Sequence, residues 1–411
     1  MTKIVDVLAQ VAQGIGANVV SVGLVLENGQ IGWGDCVDLV NDGELLSAIV
    51  LNYVRPLLVG RQLVSFRELS AEIQALTETI TLVETIHHPP PPKKEGVSRR
   101  KMFTLNWERE QPPAPPPEII EHQEIRPILA TVRYGASQAL LNALALAKQT
   151  SIVDVLQREY DFAKLTKTVP TLPFLYVRQL NSAKRMFVYR PSAIGLSLSS
   201  TDFDSEMGNN GVVLSNAAQR LRTDALATDG PHKFSPTFYY RVFGGYGVQQ
   251  NNSVGKVLGK LFTIHKNAKP YQLWVEDAML GDDFDHYIKL NKQLRKLSNL
   301  RKMTSLLVAN HYVDSLARVQ AVIDAEAAHH VYLDPSKLGS VGTMLDALAL
   351  CRQAGLGVVW GGHSAETMLS ADVTSQIVMA CQPDFVVTKP ATQVGLTTMQ
   401  NAMVRHLRNS G

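Results

Sequence analysis

Cysteine is scarce in this chain of 411 residues, and the few cysteines form no motif. Cys36, Cys351 and Cys381 lie far apart in apolar stretches and make no C-x-x-C metal or redox pattern. An odd number of widely spaced cysteines also argues against the disulfide framework of a secreted protein. A reducing cytoplasm is therefore the expected location.

The chain also lacks long apolar runs and an excess of charge of either sign. No segment approaches the roughly 20 apolar residues of a membrane-spanning helix, and the apolar stretch 4–8 is too short and interrupted for a signal peptide. Forty Lys and Arg residues stand against 37 Asp and Glu residues, which gives a formal net charge of +3. Composition thus predicts neither a nucleic acid nor an acidic membrane as a partner.

Apolar residues make up 45% of the chain, which is ample for a sizeable core, and the length suggests at least two domains. Residues 19–27 and 31–36 have strand-like apolar patterns, and Asn28-Gly29 between them predicts a tight hairpin turn. Helical periodicity follows over two stretches, residues 45–54 and 66–76. The chain is therefore predicted to begin with an α+β region.

The composition changes abruptly between about residues 86 and 124, where prolines and basic residues crowd together. Residues 89–92 are four consecutive prolines, basic residues follow at 93, 94 and 99–101, and further prolines lie within 112–117. Because proline fixes φ and removes an amide donor, neither a helix nor an inner strand can form through these runs. We predict an extended surface insert, which is either an expanded loop without a task or a docking element for a protein partner.

The second half of the chain alternates strand-like and helical patterns. Helical periodicity over residues 131–148 and 152–159 closes the first region. Eight apolar strand-like runs follow, at residues 169–177, 193–198, 237–243, 272–276, 305–309, 330–334, 358–361 and 385–388. Strand and crossover helix repeated over about 240 residues predict an α/β fold with a parallel TIM-type barrel.

This alternation predicts two domains, an N-terminal α+β capping domain over residues 1–165 and a TIM-type (β/α) barrel over residues 166–411. A doubly wound open sheet is the alternative, but no G-x-G-x-x-G fingerprint follows a strand.

Polar side chains at the C-terminal ends of the predicted strands are the candidates for chemistry, because TIM-type barrels place their active sites there. These residues are Arg241, Glu276, Asn310, Asp334, His363 and Lys389. The adjacent His329 and His330 are not expected to share a metal, since neighbouring strand residues point to opposite faces.

Short segments spread over nearly the whole chain occur in a characteristic order. They are residues 3–8 (KIVDVL), 25–30 (VLENGQ), 34–36 (GDC), 59–61 (VGR), 132–135 (VRYG), 137–139 (SQA), 275–276 (VE), 338–339 (LG), 361–362 (GG), 366–367 (ET), 372–374 (DVT), 379–381 (MAC) and 389–390 (KP). This order resembles methylaspartate ammonia-lyase, a branch of the enolase superfamily. The resemblance implies that superfamily's fold, an N-terminal capping domain followed by a barrel, and a homodimer.

The resemblance also implies a reaction, the reversible elimination of ammonia from 3-methylaspartate to give mesaconate. The family uses Mg²⁺, and typically a monovalent cation, to stabilise an enolate-like dianion. Three carboxylates at the ends of successive strands hold the Mg²⁺ ion, which prefers hard oxygen ligands. A basic residue removes the proton from carbon.

Compared residue by residue, this chain departs from the family pattern. Arg241 stands where the first metal carboxylate belongs, Glu276 retains the second, and the neutral Asn310 replaces the third. Asp334 stands in the place of the base lysine. Because one carboxylate and one amide are a poor ligand set for Mg²⁺, a metal at Glu276 and Asn310 is not expected, and neither is another cofactor.

Four positions extend the comparison. The family's second catalytic group, a histidine after a proline, corresponds to Ser192, and its substrate-binding Thr-Cys pair corresponds to His363-Ser364. Lys337 could replace the base lysine only through a three-residue shift, which the ungapped match of residues 338–339 argues against.

The changes favour a catalytically inactive member of the family with a binding or structural role. A buried carboxylate without a partner is costly, so the Arg241 guanidinium is expected to pair with Glu276. The fold can persist in such a protein because core patterning and active-site chemistry are separable.

Two alternatives remain open. The first is a metal-free enzyme in which Asp334, His363 or Lys389 acts on a small carboxylate ligand, held by the fork of Arg241 and by Ser364. The second is an ammonia-lyase that is still active because the matching of this sequence to the family pattern is shifted, so that other residues occupy the catalytic positions. Engagement of Arg241 with Glu276 favours the inactive protein, whereas an Arg241 side chain that points into an open polar pocket favours the metal-free enzyme.

Overall fold

The computed structural model describes most of the chain, namely residues 2–13, 16–86, 116–163, 167–199, 203–229, 233–303, 305–363, 365–389 and 393–410. The chain forms two compact units. The larger unit comprises Met1–Leu76 with Leu129–Gly411, and the smaller one is Thr77–Ile128. The predicted domain boundary, between residues 165 and 166, lies outside the described residues and stays a prediction.

The larger unit begins with an antiparallel sheet of three strands in the order β1-β2-β3. The strands are β1 (Ile4–Gln13), β2 (Asn18–Leu26) and β3 (Ile31–Asp38). Between β2 and β3, Gly29 has a φ of +81°, and the Asn28 side chain accepts a hydrogen bond from the Gln30 amide at 3.0 Å. The predicted hairpin at Asn28-Gly29 is therefore confirmed.

Short helices follow the sheet, as the periodicity predicted. They are α1 (Gly43–Ile49), a π-helical turn (Val50–Val54), α2 (Arg55–Leu58) and α3 (Phe66–Gln74). Asp42 and Ser65 cap α1 and α3 by accepting hydrogen bonds from backbone amides of the first turn, which satisfies donors that a helix start leaves free.

The smaller unit is a two-stranded antiparallel ribbon. Strand β4 (Thr77–Ile86) pairs with β5 (Glu118–Pro127) over its whole length. The prediction of an irregular insert over residues 86–124 was wrong for residues 118–124, which lie in β5, because this stretch contains no proline and carries strand-forming isoleucines. Residues 87–115, with most of the prolines and the basic residues, lie outside the described residues.

Two helices complete the N-terminal part of the larger unit, α4 (Ala130–Ala147) and α5 (Ile152–Tyr160). Helix α4 lies directly on β3, because a Cβ atom on Gly34 would come within 2.2 Å of the Gly135 carbonyl oxygen. The close approach lets the Gln138 side chain accept a hydrogen bond from the Asp35 amide at 3.1 Å.

The rest of the larger unit is a parallel barrel. Its strands are β6 (Thr171–Leu172), β7 (Phe174–Tyr176), β8 (Ala193–Ser197), β9 (Thr237–Arg241), β10 (Leu273–Glu276), β11 (Leu307–Ala309), β12 (His330–Leu333), β13 (Gly357–Trp360) and β14 (Phe385–Val387). Strands β7 to β14 pair in chain order, and β14 pairs with β6. Because β6 and β7 are consecutive segments separated only by Pro173, this order closes the sheet. The predicted TIM-type barrel is confirmed, and the doubly wound alternative is excluded.

Helices separate the strands around the outside of the barrel. They are α6 (Ala183–Phe187), α7 (Phe203–Met207), α8 (Val212–Asp229), α9 (Gly245–Gln249), α10 (Val254–Ala268), α11 (Phe284–Leu300), α12 (Leu316–Asp324), α13 (Pro335–Leu338), α14 (Val341–Gln353), α15 (Met368–Cys381) and α16 (Gln393–Ser410).

The barrel interior is filled by large side chains. Tyr239, Trp274, Val308, Tyr332 and Phe385 form one buried cluster with their neighbours inside the ring of strands. A filled interior leaves the rim as the place where ligands can be reached. We call the rim formed by the C-terminal strand ends the barrel mouth.

In the part of the chain that the structure describes, no single helix is both long and apolar enough to cross a bilayer. Helices α4 and α5 meet that test only when taken together, and they are bent by 102° at their junction.

Candidate functional site

Three of the candidate residues meet at the barrel mouth. Arg241 and Glu276 end the neighbouring strands β9 and β10 and lie opposite each other in the register. Asn310 follows directly after β11, the next strand of the ring. Parallel pairing brings these strand ends to one edge, as predicted from their positions after successive apolar runs.

Glu276 is the centre of this site, and its carboxylate is fully buried. Oε1 accepts hydrogen bonds from Arg241 Nε at 2.7 Å and from Asn310 Nδ2 at 2.8 Å, while Oε2 accepts one from the Tyr239 hydroxyl at 2.5 Å. The predicted ion pair between Arg241 and Glu276 is confirmed. Three donors, one of them charged, compensate the desolvation of this carboxylate.

The Arg241 side chain lies between two aromatic rings. Its Cζ atom is 4.6 Å from the ring centroids of both Phe174 and Tyr332, an arrangement that favours a cation. Burial alone would lower the pKa of Arg241, but the Glu276 carboxylate raises it well above its ordinary value. Arg241 is therefore a permanent positive charge whose Nη2 atom is buried without a hydrogen-bond partner among the described residues.

Lys337 is a second cation at the same place, and its role was not predicted from the sequence. Its Nζ donates hydrogen bonds to Asn310 Oδ1 at 2.9 Å, to the Asn310 carbonyl at 3.1 Å and to the His311 carbonyl at 3.1 Å. We call Glu276, Arg241, Tyr239, Asn310 and Lys337 together the Glu276 network.

Asp277 supports the loop that carries Asn310. Its carboxylate accepts hydrogen bonds from the amides of Asn310 at 3.0 Å and His311 at 2.9 Å, and from the Tyr287 hydroxyl at 3.1 Å. Burial and the neighbouring Glu276 carboxylate raise the pKa of Asp277. This second carboxylate faces the β11 loop, so its contacts hold the backbone of the Glu276 network in place.

Asp334 has a local structural contact at the start of α13. Its Oδ1 atom accepts hydrogen bonds from the Ser336 amide at 3.0 Å and the Ser336 hydroxyl at 2.7 Å. An aspartate that caps a helix satisfies amides of the first turn, and Pro335 at the first helical position is typical of such a start. This contact draws the carboxylate back onto its own loop.

Lys389 lies in a separate, fully buried ion pair. Its Nζ is 2.7 Å from the Glu366 carboxylate, 3.3 Å from the Tyr134 hydroxyl and 3.4 Å from the Thr374 hydroxyl. Burial acts to lower the pKa of Lys389, but Glu366 outweighs it and raises the pKa above its ordinary value. These contacts are those of a buried structural ion pair rather than of a free catalytic group.

His363 belongs to the loop that Glu366 holds. Its backbone amide donates to Glu366 Oε1 at 2.8 Å, and its Nδ1 atom accepts from the Ala365 amide at 3.0 Å. Burial lowers the pKa of His363, which favours the neutral imidazole. Ser364, the predicted substrate-binding neighbour, lies outside the described residues.

The N-terminal sheet contacts this same loop, and α4 contacts helix α15, which follows it. The Asp35 carboxylate accepts hydrogen bonds from the Thr367 amide and the Ser21 hydroxyl, both at 2.7 Å. Gln138 Nε2 donates to the hydroxyls of Ser370 at 3.1 Å and Thr374 at 3.3 Å. Sequence reasoning missed these contacts, although Asp35 and Gln138 are polar residues within apolar stretches, which is the available signal.

Comparison with known proteins identifies the family. The family model described as "Methylaspartate ammonia-lyase C-terminus" matches residues 179–410, which is more than half of the chain. The chain belongs to the methylaspartate ammonia-lyase family. Its fold is that of the enolase superfamily, as the resemblance implied.

Individual relatives of the methylaspartate ammonia-lyase family match over nearly the whole chain. The enzyme from Clostridium tetanomorphum is 24% identical over 400 residues, or 94% of this chain and 86% of the relative. A solved magnesium complex of β-methylaspartase from that organism has a TM-score of 0.76 at 22% identity and covers 99% of this chain and 98% of its own. The Citrobacter amalonaticus methylaspartate ammonia lyase, in a structure containing (2S,3S)-3-methylaspartic acid, has a TM-score of 0.79 at 18% identity and covers 99% of both chains.

One position inferred from the family pattern needs correction. Ser192 precedes β8, and its carbonyl accepts a hydrogen bond from the Thr237 amide at the start of β9, so it lies at the end of the barrel opposite to the mouth. The residue of β8 that lies beside Arg241 in the register is Ser197. The prediction rested on a single proline, Pro191, which precedes the N-terminal end of β8 and not its C-terminal end.

The magnesium ion of methylaspartate ammonia-lyases does not fit the residues as they are arranged here. Among Arg241, Glu276 and Asn310, which meet at the barrel mouth, Glu276 alone carries a carboxylate, and both oxygens of this carboxylate already accept hydrogen bonds. Within the described part of the chain, no group of three His, Cys, Asp or Glu residues could hold a metal ion. Mg²⁺ requires several oxygen ligands in near-octahedral geometry, which one occupied carboxylate beside a guanidinium does not supply.

Proposed function

We propose that this chain is a member of the methylaspartate ammonia-lyase family that does not catalyse Mg²⁺-dependent elimination of ammonia and has a binding or structural role. The observation that carries the proposal is the state of Glu276, whose carboxylate is engaged by Arg241, Asn310 and Tyr239. The family reaction needs this carboxylate for the metal ion.

The electrostatics of the barrel mouth support the proposal. In the family, the metal supplies positive charge beside the carboxylate of the substrate when the proton leaves carbon, which lowers the barrier. Here the side chain at the first ligand position is a guanidinium committed to Glu276. Preorganised charge must face the developing anion in order to stabilise it, and Arg241 Nε faces an internal carboxylate instead.

The candidates for the base support the same proposal. Asp334 caps α13, and Lys389 is buried against Glu366. A general base must come within hydrogen-bond reach of the proton that it removes. Lys389 is fully buried and would first have to leave its ion pair. That loss would leave the buried Glu366 carboxylate without its charged partner.

Binding of a small carboxylate is a second candidate function, and one observation favours it. Arg241 Nη2 is buried, makes no hydrogen bond with any described residue, and belongs to a side chain that is 19% exposed. A guanidinium nitrogen with a free donor can bind a carboxylate by charge-assisted hydrogen bonds. We include in this candidate the metal-free enzyme that would use Asp334 or His363 on such a ligand.

The remaining roles are also proposals. A homodimer in the cytoplasm, with the Pro-rich basic insert as the docking element for a protein partner, agrees with the family resemblance and with the composition of residues 86–124.

The proposed function predicts that the purified chain is silent in the family reaction. With 3-methylaspartate and Mg²⁺, mesaconate absorbance is expected to stay at the level of the enzyme-free blank, and the reverse reaction with mesaconate and ammonia is expected to show no consumption. The Clostridium tetanomorphum enzyme serves as the positive control under the same conditions. Turnover that depends on Mg²⁺ would contradict the proposal.

A further inference from the structure

We propose that Lys337, together with Arg241, replaces the divalent ion of the family at the barrel mouth, so that carboxylates restored at positions 241 and 310 cannot bind a metal while Lys337 remains. The inference rests on the proposed function in that both place the loss of the metal at Glu276. It adds a residue that the family pattern does not mark, and it predicts metal affinity rather than activity.

The orientation of the Asn310 side chain is the first argument. Its amide nitrogen donates to Glu276 Oε1 at 2.8 Å, and its amide oxygen accepts from Lys337 Nζ at 2.9 Å. A carboxamide has one donor end and one acceptor end, so it bridges an anion on one side and a cation on the other. An aspartate at position 310 would instead turn an oxygen towards Glu276, and like charges at this distance repel.

The oxygen atoms around Lys337 are the second argument. Its three contacts are all to oxygens of one loop, the side-chain and backbone carbonyls of Asn310 and the carbonyl of His311, between 2.9 and 3.1 Å. An ammonium group has three donors, and here each of them has an acceptor. The oxygens at this corner of the mouth are thus already bound to a protein cation.

The position of Lys337 is fixed from three sides, which is the third argument. Asp334 caps the start of α13, and Gln74 of α3 holds its end by donating to the Leu338 carbonyl at 3.1 Å and accepting from the Ser340 amide at 2.8 Å. Gly339 ends the turn with a φ of +84°. A lysine on a helix anchored at both ends is preorganised to keep its ammonium group beside Asn310.

The charges of the site add up consistently with a replaced metal. Arg241 and Lys337 carry two positive charges, the same number as a divalent ion. Arg241 contacts Glu276 and Lys337 contacts Asn310, so the two cations lie at opposite ends of the hydrogen-bonded pair of Glu276 and Asn310. Because Lys337 contacts Asn310 and Arg241 contacts Glu276, changing position 241 alone leaves one of the two cations in place.

The test measures Mn²⁺ binding, with Mn²⁺ as a paramagnetic probe of a magnesium site, by the loss of the free-ion EPR signal. Four proteins are compared: the natural chain, Arg241→Asp/Asn310→Asp, the same double variant with Lys337→Gln, and the double variant with Lys296→Gln. Lys296 lies exposed on α11 and is the matched control for removal of one positive charge.

We expect at least tenfold tighter Mn²⁺ binding in the variant with Lys337→Gln than in the other three proteins. Equal affinity of the double variant and its Lys337→Gln derivative would overturn the inference, as would Mn²⁺ binding at the mouth of the natural chain. Metal-independent turnover of 3-methylaspartate would remove the proposed function and leave this inference standing. If the double variant binds Mn²⁺ equally well with and without Lys337, the inference about Lys337 falls and the proposed function stands.

A second measurement covers the case in which the multiple variants do not fold. In the natural background, Lys337→Gln is expected to lower the Tm by a few degrees, because Asn310 loses the cation that its amide oxygen faces. Lys296→Gln is expected to leave the Tm unchanged. Equal Tm values for the two single variants would contradict a fixed cation at position 337.

Discussion

Replacing Arg241 by methionine is expected to lower the free energy of unfolding by about 3 kcal/mol, at the lower end of the range for breaking a buried ion pair. Glu276 is fully buried and would keep only the neutral donors Asn310 and Tyr239. The Arg241 side chain is 19% exposed, so water can compensate part of the loss, which is why we expect the lower end. Methionine retains the packing between Phe174 and Tyr332.

A double-mutant cycle measured by urea unfolding separates the ion pair from packing. Arg241→Met combined with Glu276→Gln is expected to recover much of the loss, because the neutral amide no longer needs a cation, and the coupling energy should exceed about 1 kcal/mol. Arg55→Met is the control, since Arg55 and its partner Asp6 are 52% and 40% exposed and such pairs contribute about 0–1 kcal/mol. A coupling energy near zero between Arg241 and Glu276 would contradict the account.

Replacing Lys389 by methionine is expected to destabilise the protein by about 3–5 kcal/mol, the larger of the two effects. Both Lys389 and Glu366 are almost inaccessible to water, and Glu366 also accepts the His363 amide. Loss of the ammonium group would leave a buried carboxylate without its charged partner. Unfolding in urea gives the free energy, and hydrogen exchange at the His363 amide reports the local effect.

The outcome of the Lys389 experiment depends on the charge of Glu366. Lys389→Met/Glu366→Gln is expected to be more stable than Lys389→Met alone, since a neutral amide can still accept the His363 amide and costs less to bury. If instead the single variant loses less than about 1 kcal/mol, the ion pair does not hold the loop, and Lys389 is free to serve another role.

The fold was accessible from the sequence because its signals are local. Apolar runs such as residues 237–243 and 272–276 alternate with helical periodicity, and a right-handed parallel arrangement of such units closes a barrel. The sequence analysis did not predict the β4–β5 ribbon. One reason is that the alternation of threonine, glutamate and isoleucine in the ribbon adjoins the Pro-rich stretch. The break in composition there is stronger than the strand pattern.

The candidate site was accessible only where charge and strand position coincide. Arg241 and Glu276 each end a strand, and neighbouring strands place them together, so their pairing followed from elementary electrostatics. Lys337 reaches the site from a one-turn helix, and no periodicity specifies the direction of a side chain in such a turn. Lys389 also follows a strand end, but the N-terminal α4 covers it, and the sequence does not show that packing.

Our proposal separates the barrel, which this chain retains, from the chemistry of the barrel mouth, which we propose has changed. The fold is that of the enolase superfamily. In our proposal, Arg241, Asn310 and Asp334 differ in charge from the side chains that the family has at these strand ends. A fold tolerates such changes when the new charges satisfy each other, as Arg241 and Glu276 do.

The most direct test of the central claim is a crystal structure of the natural chain grown in excess MnCl₂, with anomalous diffraction collected to locate the metal. We predict no anomalous peak within bonding distance of Glu276, and a hydrogen bond from Arg241 Nε to the Glu276 carboxylate. A manganese ion bonded to Glu276, with Arg241 turned away, would contradict our proposal. It would show that this chain retains a metal site at the barrel mouth.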